Sequence, residues 1–111
     1  MNDMTVISEQ YLLDMRAAVR NRHTKHDGEI RDLIVAARYD LCTLGGIKIE
    51  KVADESDPLI KDAIKTFVRG KYGLDNPDAE KYIAAYNAMR NKLMLSDEYR
   101  KETDAKCTGT V

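Results

Sequence analysis

The stretch YGLDNPDAEKY, from Tyr72 to Tyr82, constrains this chain more than any other. Gly73 can take the left-handed backbone that closes a helix, and Leu74 just beyond can fold back on Val68 as the apolar contact of a Schellman motif. Asn76 then serves as a cap and Pro77 as the first residue of a new helix, with Asp78 and Glu80 favouring the positive end of its dipole. So few residues separate the stop from the start that the two helices must be antiparallel neighbours. Tyr72, Gly73, Asn76 and Pro77 therefore define a rigid helical corner.

Helical periodicity runs away from this corner in both directions. Upstream, Asp57-Pro58 repeats the cap-and-proline device. Ile60, Ala63, Ile64 and Phe67 then share a face widened by Leu59 and Val68, which predicts the most buried helix of the chain. Downstream, Ala79, Tyr82, Ile83, Tyr86, Met89 and Leu93 form an apolar and aromatic stripe, and Ser96 with Asp97 and Glu98 can restart a short turn through Tyr99. Near the N-terminus, Ser8 caps a first helix with Leu12, Met15 and Val19 on its inner face, and Ile7 can staple onto Leu12. A second helix starts at about Thr24 or Asp27 and carries Ile30, Leu33, Ile34, Ala37, Leu41 and Leu44. Gly45-Gly46 ends it.

One stretch, GIKIEKVADESD, does not read as helix. Ile47, Ile49 and Val52 alternate with Lys48 and Glu50, which allows a short extended piece or a hairpin edge. Connections in small helical domains mostly run about two to eight residues, so a longer one is a candidate contact surface. The expected fold is all-α: a small bundle of four main helices plus a short C-terminal helical turn, with one extended loop or short β element at about 46–57. A chain of 111 residues makes one domain, expected over 1–100, and KETDAKCTGTV at 101–111 has nothing to bury and reads as a mobile tail.

Composition narrows function mainly by exclusion. Hydrophobic residues at 43% and charged residues at 33% exclude a disordered chain. No apolar run approaches the roughly 20 residues that span a bilayer, and MNDMTVISEQ lacks the features of a secretory signal, so a cytoplasmic location and no membrane association are expected. Cys42 in an apolar stretch and Cys107 in the tail have no second cysteine or histidine at ligand spacing, and they read as a core thiol and a tail thiol. His23 and His26 could share a helical face but lack a matching ligand pair. No nucleophile and base constellation, phosphate loop or nucleophile elbow is present. The expectation is therefore no enzyme, no cofactor and no metal site.

Eighteen Lys and Arg residues against nineteen Asp and Glu give a formal charge of −1, balanced in both halves of the chain. A protein that holds a phosphate backbone for affinity needs a basic surplus on some element. The only local excess is Arg20, Arg22 and Lys25, in a loop that is either simply solvated or faces DNA, RNA or an acidic protein surface. Tyr72, Tyr82, Tyr86 and Tyr99 suit a core margin or an interface. Tyr99, beyond the last regular helix, is the better interface candidate, together with Arg100 and with Lys48, Glu50, Lys51 and Asp54 of the connecting loop.

The run DPLIKDAIKTFVRGKYGLDNPDAEKYIAAYNAMRNKLMLSDEY, Asp57 to Tyr99, resembles the second half of the head-tail connector, or head-completion adaptor, proteins of tailed bacteriophages. The shared order is an apolar helix, a Tyr-Gly stop, an Asn-Pro-Asp-Ala restart, a Tyr-rich helix and Leu-Ser-x-x-Tyr. The N-terminal helices, including DLIVAARYDLCTLGGI, fit the first half more loosely. The resemblance implies a virion protein of the neck, at the head-tail interface, assembled in the host cytoplasm as a homo-oligomeric, typically dodecameric, ring beneath the portal protein. Such a ring extends the DNA channel, passes DNA without sequence-specific binding, and docks a stopper or tail-completion protein. The alternative is a small helical DNA-binding regulator from a mobile element, with a helix-turn-helix forced onto Arg20 to Arg38. That frame needs a basic, polar recognition helix.

Overall fold

Two of the helices, Glu9–Ala18 and Pro58–Lys71, start where a side chain satisfies their free backbone donors. The structure, a computed structural model, describes residues 4–20, 26–73 and 76–101. Its elements are α1 (Glu9–Ala18), α2 (Asp27–Thr43), α3 (Ile49–Val52), α4 (Pro58–Lys71) and α5 (Ala79–Met94), and no strand occurs among the described residues. The Ser8 hydroxyl accepts from the Tyr11 amide to cap α1. The Asp57 carboxylate accepts from the amides of Leu59 and Ile60 to cap α4, with Pro58 at the first helical position. Both follow from sequence-local hydrogen bonding.

The fourth long helix begins differently from expectation. Instead of Asn76 and Pro77 opening α5, Pro77 and Asp78 form a turn and the helix starts at Ala79. Asn76 is committed elsewhere: its Oδ1 accepts from the Asp78 amide at 3.0 Å, and its Nδ2 donates back to the Arg69 carbonyl at 2.6 Å. One side chain thus ties the end of α4 to the start of α5. Gly73 does take a positive φ of 80°, while Leu74 lies outside the described residues.

The connection at 46–57 is neither a free loop nor a strand. Ile47 makes an isolated antiparallel bridge to Arg100, and Ile49–Val52 wind into the single helical turn of α3. Ile47 and Val52 are buried and Ile49 packs partly on the core. The apolar residues that read as alternation are thus satisfied by one bridge followed by one turn. Ser96 to Arg100 form the anticipated C-terminal turn, with the Tyr99 and Arg100 amides both donating to the Ser96 carbonyl.

α4 is the central helix and packs on α1, α2 and α5. Its fully buried Ile60, Ile64 and Val68 meet Ile30, Ile34 and Leu41 of α2 and Leu12 and Met15 of α1 in one core. Each such side chain stabilises the fold by about 1.5–3 kcal/mol relative to exposure. Gly70 lets α5 approach closely: a Cβ there would lie 2.7 Å from Ile83 Cδ1. Phe67 of α4 meets Tyr86 of α5 edge to face at 5.0 Å. The aromatic stripe of α5 is less deeply buried than its spacing suggested, because only Tyr86 and Leu93 are buried while Tyr82, Ile83 and Met89 are half-exposed.

Two leucines assigned to inner stripes point outward. Leu59 is 56% exposed in the first turn of α4, and Leu44 is 64% exposed at the C-cap of α2. Each sits at a helix end, where the neighbouring helix no longer covers the full stripe. Gly45 is buried against α5, and Gly46 carries the positive φ of 63° that ends α2.

Candidate functional site

Ion pairs and phenols, more than loops, fix the geometry of the surface that can meet partners. α2 and α5 are joined through Asp40, whose carboxylate accepts from the Tyr86 hydroxyl in a very short hydrogen bond and from Arg90 Nη1 at 2.9 Å. Burial, reinforced by the Asp40 carboxylate, pushes the Tyr86 phenol far above its ordinary range. Arg38 is 1% exposed and donates to the carbonyls of Met4 and Val6, both at 2.8 Å, while its guanidinium lies 3.6 Å from Glu55. Glu55 in turn accepts from the amide and hydroxyl of Ser8. A single network therefore secures the N-terminal segment, α2 and the connection before α4. Sequence reasoning missed Arg38 and Glu55, although Arg38 sits inside the apolar stripe of Ile34, Ala37 and Leu41, a position where a charge requires a built partner set.

The C-terminal turn closes over the connection that contains α3. The Lys48 amide donates to the Tyr99 carbonyl at 2.7 Å, the Lys101 amide to the Gly46 carbonyl at 2.8 Å, and Lys101 Nζ to the Cys42 carbonyl at 2.8 Å. Lys101, assigned to the tail, is thus held against the end of α2; residues 102–111, with Cys107, lie outside the described residues. Tyr99 is 6% exposed and donates its hydroxyl to the Asp57 carboxylate at 3.0 Å. It acts as an internal strut between the last turn and the α4 cap, which corrects its reading as a contact residue. The same burial, with Asp57 beside it, pushes the phenol up to about 12.

Around this strut the other predicted contact residues share one end of the bundle. Glu50, Asp54 and Arg100 are exposed, and Lys48 and Lys51 are half-exposed. Lys51 pairs with Glu98 at 3.3 Å across the two segments, and Arg100 pairs with Asp97 at 2.6 Å. Asp54 accepts from the Ser56 hydroxyl and amide, which holds its carboxyl below the usual range. Leu44 and Leu95, the latter 80% exposed, lie at this same end beside the charged rim. The result is a mixed, firmly braced surface with apolar points.

The opposite end carries the corner. Tyr72, Gly73, Asn76 and Pro77 line a cleft of about 620 Å³ together with Arg20, Arg69 and Tyr82. The structure thus brings the corner and the first residue of the basic loop together; Arg22, His23 and Lys25 lie outside the described residues. Arg69 Nε donates to the Ala18 carbonyl at 3.2 Å, and its guanidinium sits over the Tyr82 ring at 5.9 Å. Burial and the nearby Glu29 raise the Tyr72 phenol. Among the described residues no group of three or more His, Cys, Asp or Glu side chains gathers to hold a metal, and no helix is long and apolar enough to cross a membrane.

The alternative of a DNA-reading second helix finds no support in this geometry. α2 buries Arg38, pairs Arg31 with Glu9, and turns Glu29, Asp32 and Tyr39 outward. An acidic outward face repels a phosphate backbone. Comparison of the whole chain with protein families matches one described as phage connector protein, over residues 12–100. The chain belongs to that family. Searches of curated proteins and of solved structures returned no match. Connector membership gives the chain a phage structural role, and the matched span runs from within α1 to the bridge residue Arg100. The matched span thus includes the last turn, which bonds to the connection containing α3.

Proposed function

We propose that copies of this chain assemble as a ring, dodecameric in the simplest case, beneath the portal of a tailed phage, extending the DNA channel and joining capsid to tail. The observation that carries this reading is the connector-family match over residues 12–100. The architecture supports it. Ring subunits must keep their angle under load, and here polar ties such as Arg38 to the Met4 carbonyl, Tyr99 to Asp57 and Tyr86 to Asp40 brace distant segments in addition to apolar packing. The mixed end formed by Lys48, Glu50, Lys51, Asp54 and Arg100 is the docking face for the portal or for a stopper or tail-completion protein. Tyr99 holds that face in shape from beneath.

The net charge of −1 supports passage of DNA without retention, because binding strength grows with each phosphate neutralised. Arg20 beside the corner cleft faces an acidic partner surface or the channel. The protein works in the virion neck and needs no catalytic group.

Electron microscopy of the purified chain mixed with its cognate portal tests the reading. Rings docked end-on on the portal are expected. Portals that stay bare at saturating protein would reject the proposal. A gel shift with linear duplex should show little binding at moderate salt, and tight salt-dependent binding would favour the regulator instead.

A further inference from the structure

Two long helices each leave one face without a partner in the subunit, and the two faces match. On α2, Asp32, Ala36 and Tyr39 recur at helical spacing on the side turned away from α4, and all three are exposed. On α5, Lys81, Ala84 and Ala88, continued by Leu95 at its C-cap, form the corresponding outward stripe, also exposed. Such spacing makes a straight seam of the kind that packs against another helix. Asp32 and Lys81 take part in no ion pair among the described residues, unlike Asp40, Arg31 and Arg90 on the same two helices.

The order of chemistry along the seams is also the same. Glu29 at the start of α2 accepts from the Gly73 amide at the corner before α5, whereas Asp40 and Gly45 at its other end lie against Arg90 late in α5, so α2 and α5 run parallel within the subunit. The acidic part of α2 and Lys81 therefore lie toward the corner end. Tyr39 and Leu44, 39% and 64% exposed, lie toward the other end with Leu95. Rotating a copy about an axis along the bundle keeps these levels. It brings acid opposite base at one end, apolar opposite apolar at the other, and alanine opposite alanine between them.

We propose that the subunit contact is made by α5 of one copy lying along α2 of the next. The occupant of each face is a second copy of this chain, selected by the charge and apolar match. The contact is heterologous, so it propagates around a ring and does not close a pair. The alanines allow close approach of the two helices, while Asp32 and Lys81 set direction and register. This inference rests on the ring reading above and adds the faces that build it. One helix-on-helix seam buries less than the roughly 800 Å² per partner of a standard interface. Free copies therefore associate weakly, and the test has to trap them.

The test uses full-length chains carrying Cys107→Ser, with Ala36→Cys in one and either Ala84→Cys or Ala88→Cys in the other. Equal mixtures are oxidised at high concentration and the dimers are separated by mass. The expected result is a mixed disulfide at least about fivefold above either self-pair, for one of the two α5 positions. Asp32→Lys in the α2 partner should lower that yield about threefold or more, and Lys81→Glu in the α5 partner should restore it. A statistical mixture, an excess of self-pairs, or no rescue by the paired charge reversal would overturn the assignment. Self-pairs in excess would indicate a two-fold dimer. If wild-type rings dock on the portal while no mixed disulfide forms, the faces are wrong and the ring reading stands; bare portals reject both.

Discussion

Replacing Arg38 with methionine removes a cation that the fold has enclosed without removing much volume. Arg38 is 1% exposed and its Nη1 donates to two main-chain carbonyls of the N-terminal segment, at 2.8 Å each. A hydrogen bond from a charged donor contributes about 1.5–3 kcal/mol. The Val6 carbonyl is only part-buried and can recover water, whereas the Met4 carbonyl is buried. Glu55 loses a cation at 3.6 Å but keeps its Ser8 donors. Relief of guanidinium desolvation offsets part of the loss, which leaves a net destabilisation of about 3 kcal/mol. Against a total stability of about 5–15 kcal/mol that is a large fraction.

Urea unfolding followed by far-ultraviolet circular dichroism reads this directly. With a slope near 2 kcal/mol per molar urea, the midpoint should fall by about 1.5 M. Arg38→Lys should lose an intermediate amount, because one ammonium on a flexible stem replaces a planar fork poorly. A fall of less than about 0.5 M for Arg38→Met, or wild-type stability for Arg38→Lys, would refute the reasoning that this guanidinium anchors the N-terminus.

The remaining predictions concern backbone and phenols. Gly45→Ala places a Cβ 2.4 Å from the Leu41 carbonyl oxygen, which is main chain and cannot rotate away; a loss of roughly 2 kcal/mol or more is expected in the same urea assay. Gly70→Ala meets side-chain atoms alone, Ile83 Cδ1 at 2.7 Å, Ile83 Cγ1 at 3.1 Å and Tyr82 Cβ at 3.2 Å, and should cost less than Gly45→Ala in a side-by-side thermal melt. Gly73→Val puts a β-branched residue at φ 80°, with an expected loss of about 1–3 kcal/mol and failure to form rings on the portal; normal rings would show that the corner does not set the subunit angle. Tyr99 keeps its proton up to about 12 in the fold, against an ordinary value of 10.0. Its neutral form is favoured more strongly in the fold than in the unfolded chain, so the stabilisation is complete below pH 10 and is lost as pH rises from there toward 12. Denaturation midpoints measured across that window should fall, and Tyr99→Phe should make the fall shallower, the raised phenols of Tyr11 and Tyr86 accounting for the rest.

What the sequence made legible follows a physical division between local and distant causes. The Ser8 and Asp57 caps and the Ser96 turn act within a few residues of themselves, so those roles could be read from neighbours alone, whereas Gly73 donates its amide to the distant Glu29. Asn76 misled because its Oδ1 accepts from Asp78 in a turn ahead of α5, while its Nδ2 reaches back to the Arg69 carbonyl, so it ties two helices instead of capping one. The helix α3 was hidden because Ile47 and Val52 are buried by segments far away in sequence, Ile47 against Arg100 in particular. Tyr99 looked like a surface residue for the same reason: its partner Asp57 is distant in the chain, and only the folded bundle brings them together. That Lys48, Glu50, Lys51 and Asp54 would share one stretch of surface could be anticipated, because an over-long connection is itself a local signal. The seams on α2 and α5 were not, since outward faces are defined only once the inward ones are known.

The bridge from Ile47 to Arg100 also bears on biogenesis. Translation delivers α1 through α5 before the residues that pin the middle connection leave the ribosome, so a nascent chain carries its bundle with that connection still unfastened. The end of the bundle around α3 is therefore the last part of the fold to close as the chain emerges.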